Sequence, residues 1–127
     1  LVGTYMRDQA YGRIINMASL AGQNGGAATG AHYAAAKGGI MTLTKVFARE
    51  LASSGVTVNS ISPGPLDLDS VRALLPADKL EAVTKSIPAG TLGDPDYIAR
   101  LVALLASPQA ASAVGSTFDV NGGLYLR

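Results

Sequence analysis

Three short apolar runs divide the chain into strand-like and helix-like parts. Residues 13–18, 56–61 and 117–120 carry β-branched or aromatic side chains between glycine, proline or polar residues, which predicts buried β-strands. From 31 to 53 the apolar side chains recur every three or four residues, which predicts an amphipathic helix that ends at Ser54-Gly55. Strands that alternate with helices favour a parallel sheet with right-handed crossovers. The pattern therefore predicts an α/β fold.

Helices and loops are predicted for most of the remaining chain. Residues 1–10 are typical of the end of a helix, whereas 21–30 contain four glycines and are predicted to form a loop. Short helical patches are expected at 70–75 and 78–86. A further helix is predicted over 94–106, with an aspartate as its cap and a proline in its first turn.

Proline and paired glycines add two expectations. The second strand is expected to end at Ile61, because Ser62-Pro63-Gly64-Pro65 follows it. The Gly38-Gly39 pair weakens the long helix by roughly 1 kcal/mol per glycine. We therefore expect the pair to admit the close approach of another backbone, from the sheet or from a partner helix.

Composition narrows the classes of function. At 127 residues the chain fits one domain with a modest core. It is 48% hydrophobic and 15% charged, so some apolar faces are expected to meet a partner. A net charge of +1 with dispersed basic residues does not favour binding to nucleic acid or to an acidic membrane. With no cysteine, no long apolar run and no signal-peptide pattern, a cytoplasmic protein without disulfides is expected.

The strongest candidate for chemistry is Tyr33 with Lys37, four residues apart on the predicted helix and therefore on one face. An ammonium about 4 Å from a phenol, at an effective dielectric near 20, is worth roughly 4 kcal/mol, or about three pK units. Such a shift would bring the pKa of the tyrosine near neutrality, where acid–base catalysis is most effective. Ser19, at the end of the first strand, could hold a substrate oxygen. Because parallel strands end at one edge, these residues and Pro63-Gly64 are predicted to share a site.

Other polar residues are weaker candidates. His32 is expected to be structural or exposed, since it points to another face of the helix and has no evident partner. Asp67 and Asp69 are expected to be solvated or to cap the next helix, and are not expected to form an acid–base pair. No set of side chains has metal-ligand spacing. Three asparagines near strand ends are expected to satisfy backbone groups: Asn16, Asn59 and Asn121.

Four ordered motifs resemble the C-terminal half of the short-chain dehydrogenase/reductase family. They are GRIINMAS at 12–19, YAAAK at 33–37, VNSISPG at 58–64 and DVNGG at 119–123. Within that family the chain is most similar to the β-ketoacyl-acyl-carrier-protein reductase and acetoacetyl-CoA reductase branch. The resemblance implies the C-terminal part of a doubly wound parallel, Rossmann-type sheet with helices on its faces. It also implies that residues 1–127 are the C-terminal portion of a single domain whose N-terminal nucleotide-binding half is absent from this sequence.

The resemblance also implies an activity, an NAD(P)-dependent transfer of hydride between nicotinamide and a small carbonyl or alcohol. Tyr33 would be the catalytic acid/base, Lys37 would lower its pKa and bind the nicotinamide ribose, and Ser19 would polarise the carbonyl. The residues expected to line the nicotinamide of NAD or NADP are Pro63, Gly64 and the backbone of Leu66. The sequence does not choose between the two cofactors. A homo-oligomer is expected. Binding to a metal ion, to nucleic acid or to a membrane is not expected.

Departures from the family pattern leave alternatives open. Leu68 stands where the family often has a threonine that bonds the cofactor, and the glycine-rich cofactor turn does not occur in these residues. The 127 residues alone are therefore not expected to be competent. One alternative is a noncatalytic truncated or proteolytic fragment of such an enzyme, stabilised by self-association. Another is a three-stranded binding domain in which the Tyr33 and Lys37 pattern is coincidental.

Overall fold

The sheet contains three parallel strands in the spatial order β1-β2-β3, as the α/β prediction requires. The computed structural model describes residues 1–26, 29–74 and 76–127. The strands are β1 Gly12–Met17, β2 Val56–Pro63 and β3 Thr117–Val120. The helices are α1 Val2–Asp8, α2 Ala21–Asn24, α3 Ala31–Leu51, α4 Asp69–Leu74, α5 Ala77–Ser86 and α6 Pro95–Ala106. Short 3-10 turns occupy Ala52–Ser54 and Pro108–Ser112.

The central strand β2 is buried from Val56 through Ser62. It continues to Pro63, two residues beyond the predicted end, because the last two residues still pair with Asp119 and Val120 of β3. Proline has no N–H, but its carbonyl is still an acceptor. The carbonyl of Pro63 accepts a hydrogen bond of 2.9 Å from the backbone N–H of Leu20. The expected break is therefore wrong at this position.

Side chains of β2 alternate between two helical layers. On one face Val56 and Val58 pack with Ala48 and Leu51 of α3. On the other face Ile61 packs with apolar residues of α6, Ile98 and Leu105. This period of two is what a strand buried on both faces requires. The layered arrangement confirms the predicted fold class.

The helix boundaries follow local signals in most places. Asp94 accepts a 2.8 Å hydrogen bond from the N–H of Asp96, and Pro95 begins α6, so the predicted cap is confirmed. Gly55 adopts a φ of +76° after the turn that follows α3, the left-handed conformation that favours glycine. None of the described helices is both long and apolar enough to cross a membrane.

The loop prediction for 21–30 is wrong in its first part, where α2 forms one helical turn. The one glycine within the turn, Gly22, does not prevent it, and Gly25 terminates it with a φ of +84°. Ala27 and Ala28 lie outside the described residues. The two predicted helical patches correspond to α4 and α5, except that Leu75 also lies outside the described residues.

A guanidinium holds the amino-terminal edge of the sheet. The Arg13 side chain in β1 donates to four backbone carbonyls at 2.8–3.4 Å, and its guanidinium carbon lies 4.6 Å from the ring centroid of Tyr11. The four carbonyls belong to Gly12, Gly55, Ser107 and Pro108. Because these carbonyls come from three distant segments, one side chain connects β1 to the start of β2 and to the end of α6.

We predict that Arg13→Met lowers the free energy of unfolding by about 2 kcal/mol, since charge-assisted bonds to several carbonyls are lost together. Chemical denaturation measures the change. Arg100→Met is the matched control, because Arg100 is exposed on α6, and it should change stability by less than about 0.5 kcal/mol. Equal effects of the two substitutions would contradict the role assigned to Arg13.

Candidate functional site

Ser19 lies two residues beyond the end of β1 and is half-buried. The backbone N–H of Ala18 donates to the carbonyl of Ile61 at 2.8 Å, which continues the sheet pairing up to the serine. The Ser19 Oγ accepts a hydrogen bond of 3.2 Å from the N–H of Ala21 at the start of α2. No acceptor for its own proton is recorded in the described part of the chain. The hydroxyl is thus oriented by α2 and can donate to a bound oxygen.

Tyr33 and Lys37 lie in the first two turns of α3 and share a face, as predicted. The Lys37 Nζ donates to the carbonyl of Met17 at 2.8 Å, and it lies 5.6 Å from the centroid of the Tyr33 ring. Met17 is the last residue of β1, so the lysine fastens the start of α3 to the carboxyl end of that strand. Tyr33 is 38% exposed and faces a cavity.

One cavity of about 610 Å³ collects five of the six residues predicted for the site. They are Ser19, Tyr33, Pro63, Gly64 and Leu66. The sixth, Lys37, stands behind the Tyr33 ring and does not line the cavity. The remaining walls are mostly apolar and include Leu20, Pro65, Leu68, Val71 and Leu124. The cavity lies at the carboxyl edge of the sheet, where the order of the strands predicted a ligand site.

Gly64 is required by close packing at this edge. Its N–H donates to the carbonyl of Val120 at 2.8 Å. A Cβ at this position would lie 2.9 Å from the Cα of Asn121, closer than real Cβ atoms approach. Leu66 then forms an isolated bridge with Gly93, which returns the chain toward α6. The turn after β2 is therefore fixed by two backbone contacts, and its shape sets one wall of the cavity.

The close approach expected at the glycine pair occurs at Gly38, and the backbone that approaches it belongs to a helix of this chain, α2. A Cβ at Gly22 of α2 would lie 2.6 Å from the backbone N of Gly38 and from the carbonyl carbon of Lys37. The expected approach of a helix backbone is therefore confirmed, although residues 21–24, which form that helix, were themselves expected to be a loop. At Gly39 no atom of the described chain lies within 4 Å of a Cβ position, apart from the adjacent backbone of α3 itself.

The side chains of the weaker candidates do not line the cavity. His32 is exposed on α3, as expected. Asp67 forms an exposed ion pair of 2.6 Å with Arg72, and the hydrogen bond from that guanidinium lowers the pKa of the Asp67 carboxyl. Asp69 lies in the first turn of α4. In the described ranges, no group of three or more histidine or carboxylate side chains could hold a metal ion.

The asparagines have two kinds of partner. Asn59 bonds the carbonyl of Ala113 and the N–H of Ser116, and Asn121 bonds the backbone of Gly123 and Tyr125, as predicted. The prediction is wrong for Asn16, whose Nδ2 donates to the Thr44 Oγ1 at 2.9 Å. The hydroxyl of Thr44 itself donates to the carbonyl of Ile40, so this pair joins β1 to α3 through side chains.

Two features of the site were missed in the sequence. Leu124, beyond β3, reaches the cavity although nothing in its local pattern marks it. Gln23 of α2 bonds both Ser62 of β2 and Asp119 of β3, and these partners are distant in sequence. A glutamine within a glycine-rich segment carries no signal of such a role. Only the packing of α2 against the sheet reveals it.

Sequence comparisons relate this chain to known reductases. A family model described as enoyl-(acyl carrier protein) reductase matches residues 1–125. A 3-oxoacyl-[acyl-carrier-protein] reductase FabG of Vibrio cholerae is 49% identical over 95% of this chain and 49% of the relative. An acetoacetyl-CoA reductase of Shinella zoogloeoides is 45% identical over 95% of this chain and 50% of the relative. The chain thus spans about half the length of the curated relatives it matches.

Two solved structures share the fold. A candidate NAD(P)-dependent gluconate 5-dehydrogenase from Beutenbergia cavernae, with NADP bound at low occupancy, has a TM-score of 0.84 and 36% identity. Its match covers 95% of this chain and 49% of that one. A candidate 2-deoxy-D-gluconate 3-dehydrogenase from Agrobacterium tumefaciens, with bound NADP, has a TM-score of 0.81 and 33% identity over 94% of this chain. Both matches support a parallel α/β sheet of the Rossmann type.

We predict that Gly22→Ala lowers the free energy of unfolding by about 1–3 kcal/mol, because the added methyl group meets backbone atoms of α3 that cannot rotate away. Denaturation at low protein concentration measures the loss. Gly39→Ala is the control, since its Cβ position is open within the chain. That control should gain up to about 1 kcal/mol from its helix propensity. A tolerated Gly22→Ala would show that α2 and α3 are not in tight contact.

Proposed function

Because the chain belongs to the short-chain dehydrogenase/reductase family, we propose that it carries the proton-transfer groups of an NAD(P)-dependent oxidoreductase. The reaction interconverts a carbonyl and an alcohol. The observation that carries the proposal is the convergence of Ser19 and Tyr33 on one cavity, with Lys37 behind the tyrosine. In the same proposal, residues 1–127 are the C-terminal portion of a single Rossmann-type domain. The coverage of about half of each relative supports this division.

The cavity suits a flat ring beside a small polar group. Pro63 and Leu66 offer apolar surface, and Gly64 leaves the backbone uncovered by a side chain. We propose that these three residues line the nicotinamide of NAD or NADP, which supplies or accepts a hydride when bound. Leu68 lines the same cavity and offers no hydrogen bond, so the wall there is apolar. The bound NADP in the two solved relatives supports a nicotinamide cofactor without selecting one form for this chain.

Ser19, Tyr33 and Lys37 have different tasks in the reduction direction. The Ser19 hydroxyl donates to the carbonyl oxygen and draws electron density toward it. The Tyr33 phenol gives its proton to that oxygen as the carbonyl carbon receives the hydride, so the product is the alcohol. The Lys37 ammonium favours the phenolate that remains. Lys37 is held by the Met17 carbonyl through one hydrogen, and its other hydrogens are available to a ribose hydroxyl.

The names of the relatives suggest a substrate for the first test. One is a 3-oxoacyl-[acyl-carrier-protein] reductase and another is an acetoacetyl-CoA reductase. Both names describe a ketone placed beta to a thioester. The walls named above are largely apolar, which suits the carbon chain of such a substrate. Acetoacetyl-CoA is therefore a suitable probe for the complete protein that contains this chain.

We predict that Tyr33→Phe lowers kcat for acetoacetyl-CoA reduction by about 100-fold or more in the complete protein, since the acid is removed while the ring remains. Consumption of NADPH and of NADH, followed by absorbance, gives the rates. Tyr5→Phe is the matched control, because Tyr5 lies on the exposed surface of α1. If Tyr33→Phe reduces turnover no more than Tyr5→Phe does, the catalytic proposal is wrong and a binding domain with a coincidental motif is favoured.

We also propose that copies of the chain associate through α3. Such association would stabilise the chain in the alternative in which it is a noncatalytic fragment of the enzyme. Gly39, Leu43 and Val46 are spaced by four and three residues and are exposed on one face of the helix. A glycine inside a helix costs about 1 kcal/mol relative to alanine, yet Gly39 has no close neighbour in the described chain. Contact with a second helix explains both the small residue and the exposed apolar pair beside it.

For the association, we predict that Val46→Glu shifts the protein toward monomer, because a carboxylate would be buried in the interface. Light scattering after size-exclusion chromatography measures the mass. Leu104→Glu is the control, since Leu104 is 61% exposed on α6, and its mass should equal that of the unchanged protein. A monomeric unchanged protein at high concentration would refute association through this face.

A further inference from the structure

A polar bridge crosses the carboxyl edge of the sheet through Gln23. The Ser62 Oγ of β2 donates to the Gln23 Oε1 at 2.8 Å, and the Gln23 Nε2 donates to the Asp119 Oδ1 of β3 at 2.6 Å. Ser62 is fully buried, so its hydroxyl needs a protein partner. One amide side chain therefore satisfies a buried donor and connects α2 to two strands.

The outer end of the bridge is held by an ion pair. Arg127 donates to both carboxylate oxygens of Asp119, at 2.7 and 3.2 Å. Partial burial acts to raise the pKa of Asp119, but hydrogen bonds from Arg127 and Gln23 lower it, and the pKa lies below its ordinary value. The carboxylate is thus ionised at neutral pH and accepts from both side chains. The Gln23 amide is fixed at each end.

The bridge stabilises α2, a helix that is too short to be stable by itself. α2 has four residues and no side-chain cap, and so short a helix is unstable without tertiary contacts. Its first residues orient the site, since Ala21 donates to the Ser19 Oγ and the N–H of Leu20 donates to Pro63. On the side facing α3, Gly22 lies against backbone. On the side facing the sheet, the described side-chain hydrogen bonds of α2 to the strands are those of Gln23.

We propose that Gln23 is a positioning residue, which sets the direction of the Ser19 hydroxyl by fixing α2 between β2, β3 and α3. The inference rests on the proposed function, in which Ser19 polarises the carbonyl. Gln23 itself does not line the cavity. Its effect on the reaction passes through the Ala21 N–H and the Ser19 Oγ. A displacement of about 1 Å in a polarising group can lower a rate by about 100-fold.

A double-mutant cycle in the complete protein tests the proposal. We expect Gln23→Met to lower kcat for acetoacetyl-CoA by about 10- to 100-fold and to change KM by less than about threefold. In a Ser19→Ala background the same substitution should lower kcat by less than about twofold, because the residue it positions is gone. Gln109→Met is the matched control, because Gln109 is exposed in the 3-10 turn after α6 and does not line the cavity, and its kcat should equal that of the unchanged protein.

A second pair of variants covers the case in which Gln23→Met fails to fold, since it leaves Ser62 unpaired. Asp119→Leu removes the outer acceptor and should lower kcat, again only when Ser19 is present. Asp119→Asn keeps an oxygen acceptor for the Gln23 amide and should retain most of the activity. Thermal unfolding of each variant identifies the temperature range in which it is folded, and kcat is compared within that range.

The outcomes separate the two proposals. If Ser19→Ala lowers kcat and the Gln23 and Asp119→Leu effects shrink in that background, the positioning role is supported. If Gln23→Met and Asp119→Leu lower kcat by the same factor in the presence and in the absence of Ser19, the positioning role is overturned while the proposed function stands. The same conclusion follows if neither variant lowers kcat. If Ser19→Ala itself leaves kcat unchanged, the role of Ser19 in the proposed function fails and the inference fails with it.

Discussion

Parallel pairing on both sides of β2 is the constraint on which the rest of the structure depends. The strand is buried on both faces, yet it carries several polar side chains that must find partners. Ser60 bonds the hydroxyl of Thr117, and Asn59 bonds the backbone around Ala113 and Ser116. A slip of one residue would exchange the two faces and leave these groups unpaired. Among the described residues, only the hydroxyl of Thr57 is buried without a partner.

This register also determines where the candidate site forms. Because the three strands run the same way, the carbonyls of Met17 and Pro63 lie at the same edge of the sheet. Lys37 takes the first carbonyl and the N–H of Leu20 takes the second. The same two bonds that terminate the sheet therefore fasten α3 and the Ser19 turn to it. The site therefore forms where backbone carbonyls at the strand ends accept hydrogen bonds from groups outside the strands.

Sequence patterns predicted the parts of this arrangement that depend on local physics. Strand runs, the Asp94 cap and the shared face of Tyr33 and Lys37 follow from side-chain periodicity and from backbone preferences. Partners distant in sequence were not predictable in this way. α2 is stabilised by contacts outside itself, Asn16 meets Thr44 across two elements, and Gln23 depends on β3 being adjacent to β2. Local preferences are too weak to reveal such pairings.

The distance between Ser19 and Tyr33 depends on a backbone contact more than on the core. The buried residues of α3 are Thr44, Ala48 and Leu51, all in its second half, so the core fixes that end of the helix. The first two turns, which carry the tyrosine, extend beyond the core and rest on α2 and on the Met17 carbonyl. A small change in the tilt of α3 would therefore be largest at Tyr33. Close packing of Gly22 against Gly38 limits that tilt, because neither position has a side chain to hold the two backbones apart.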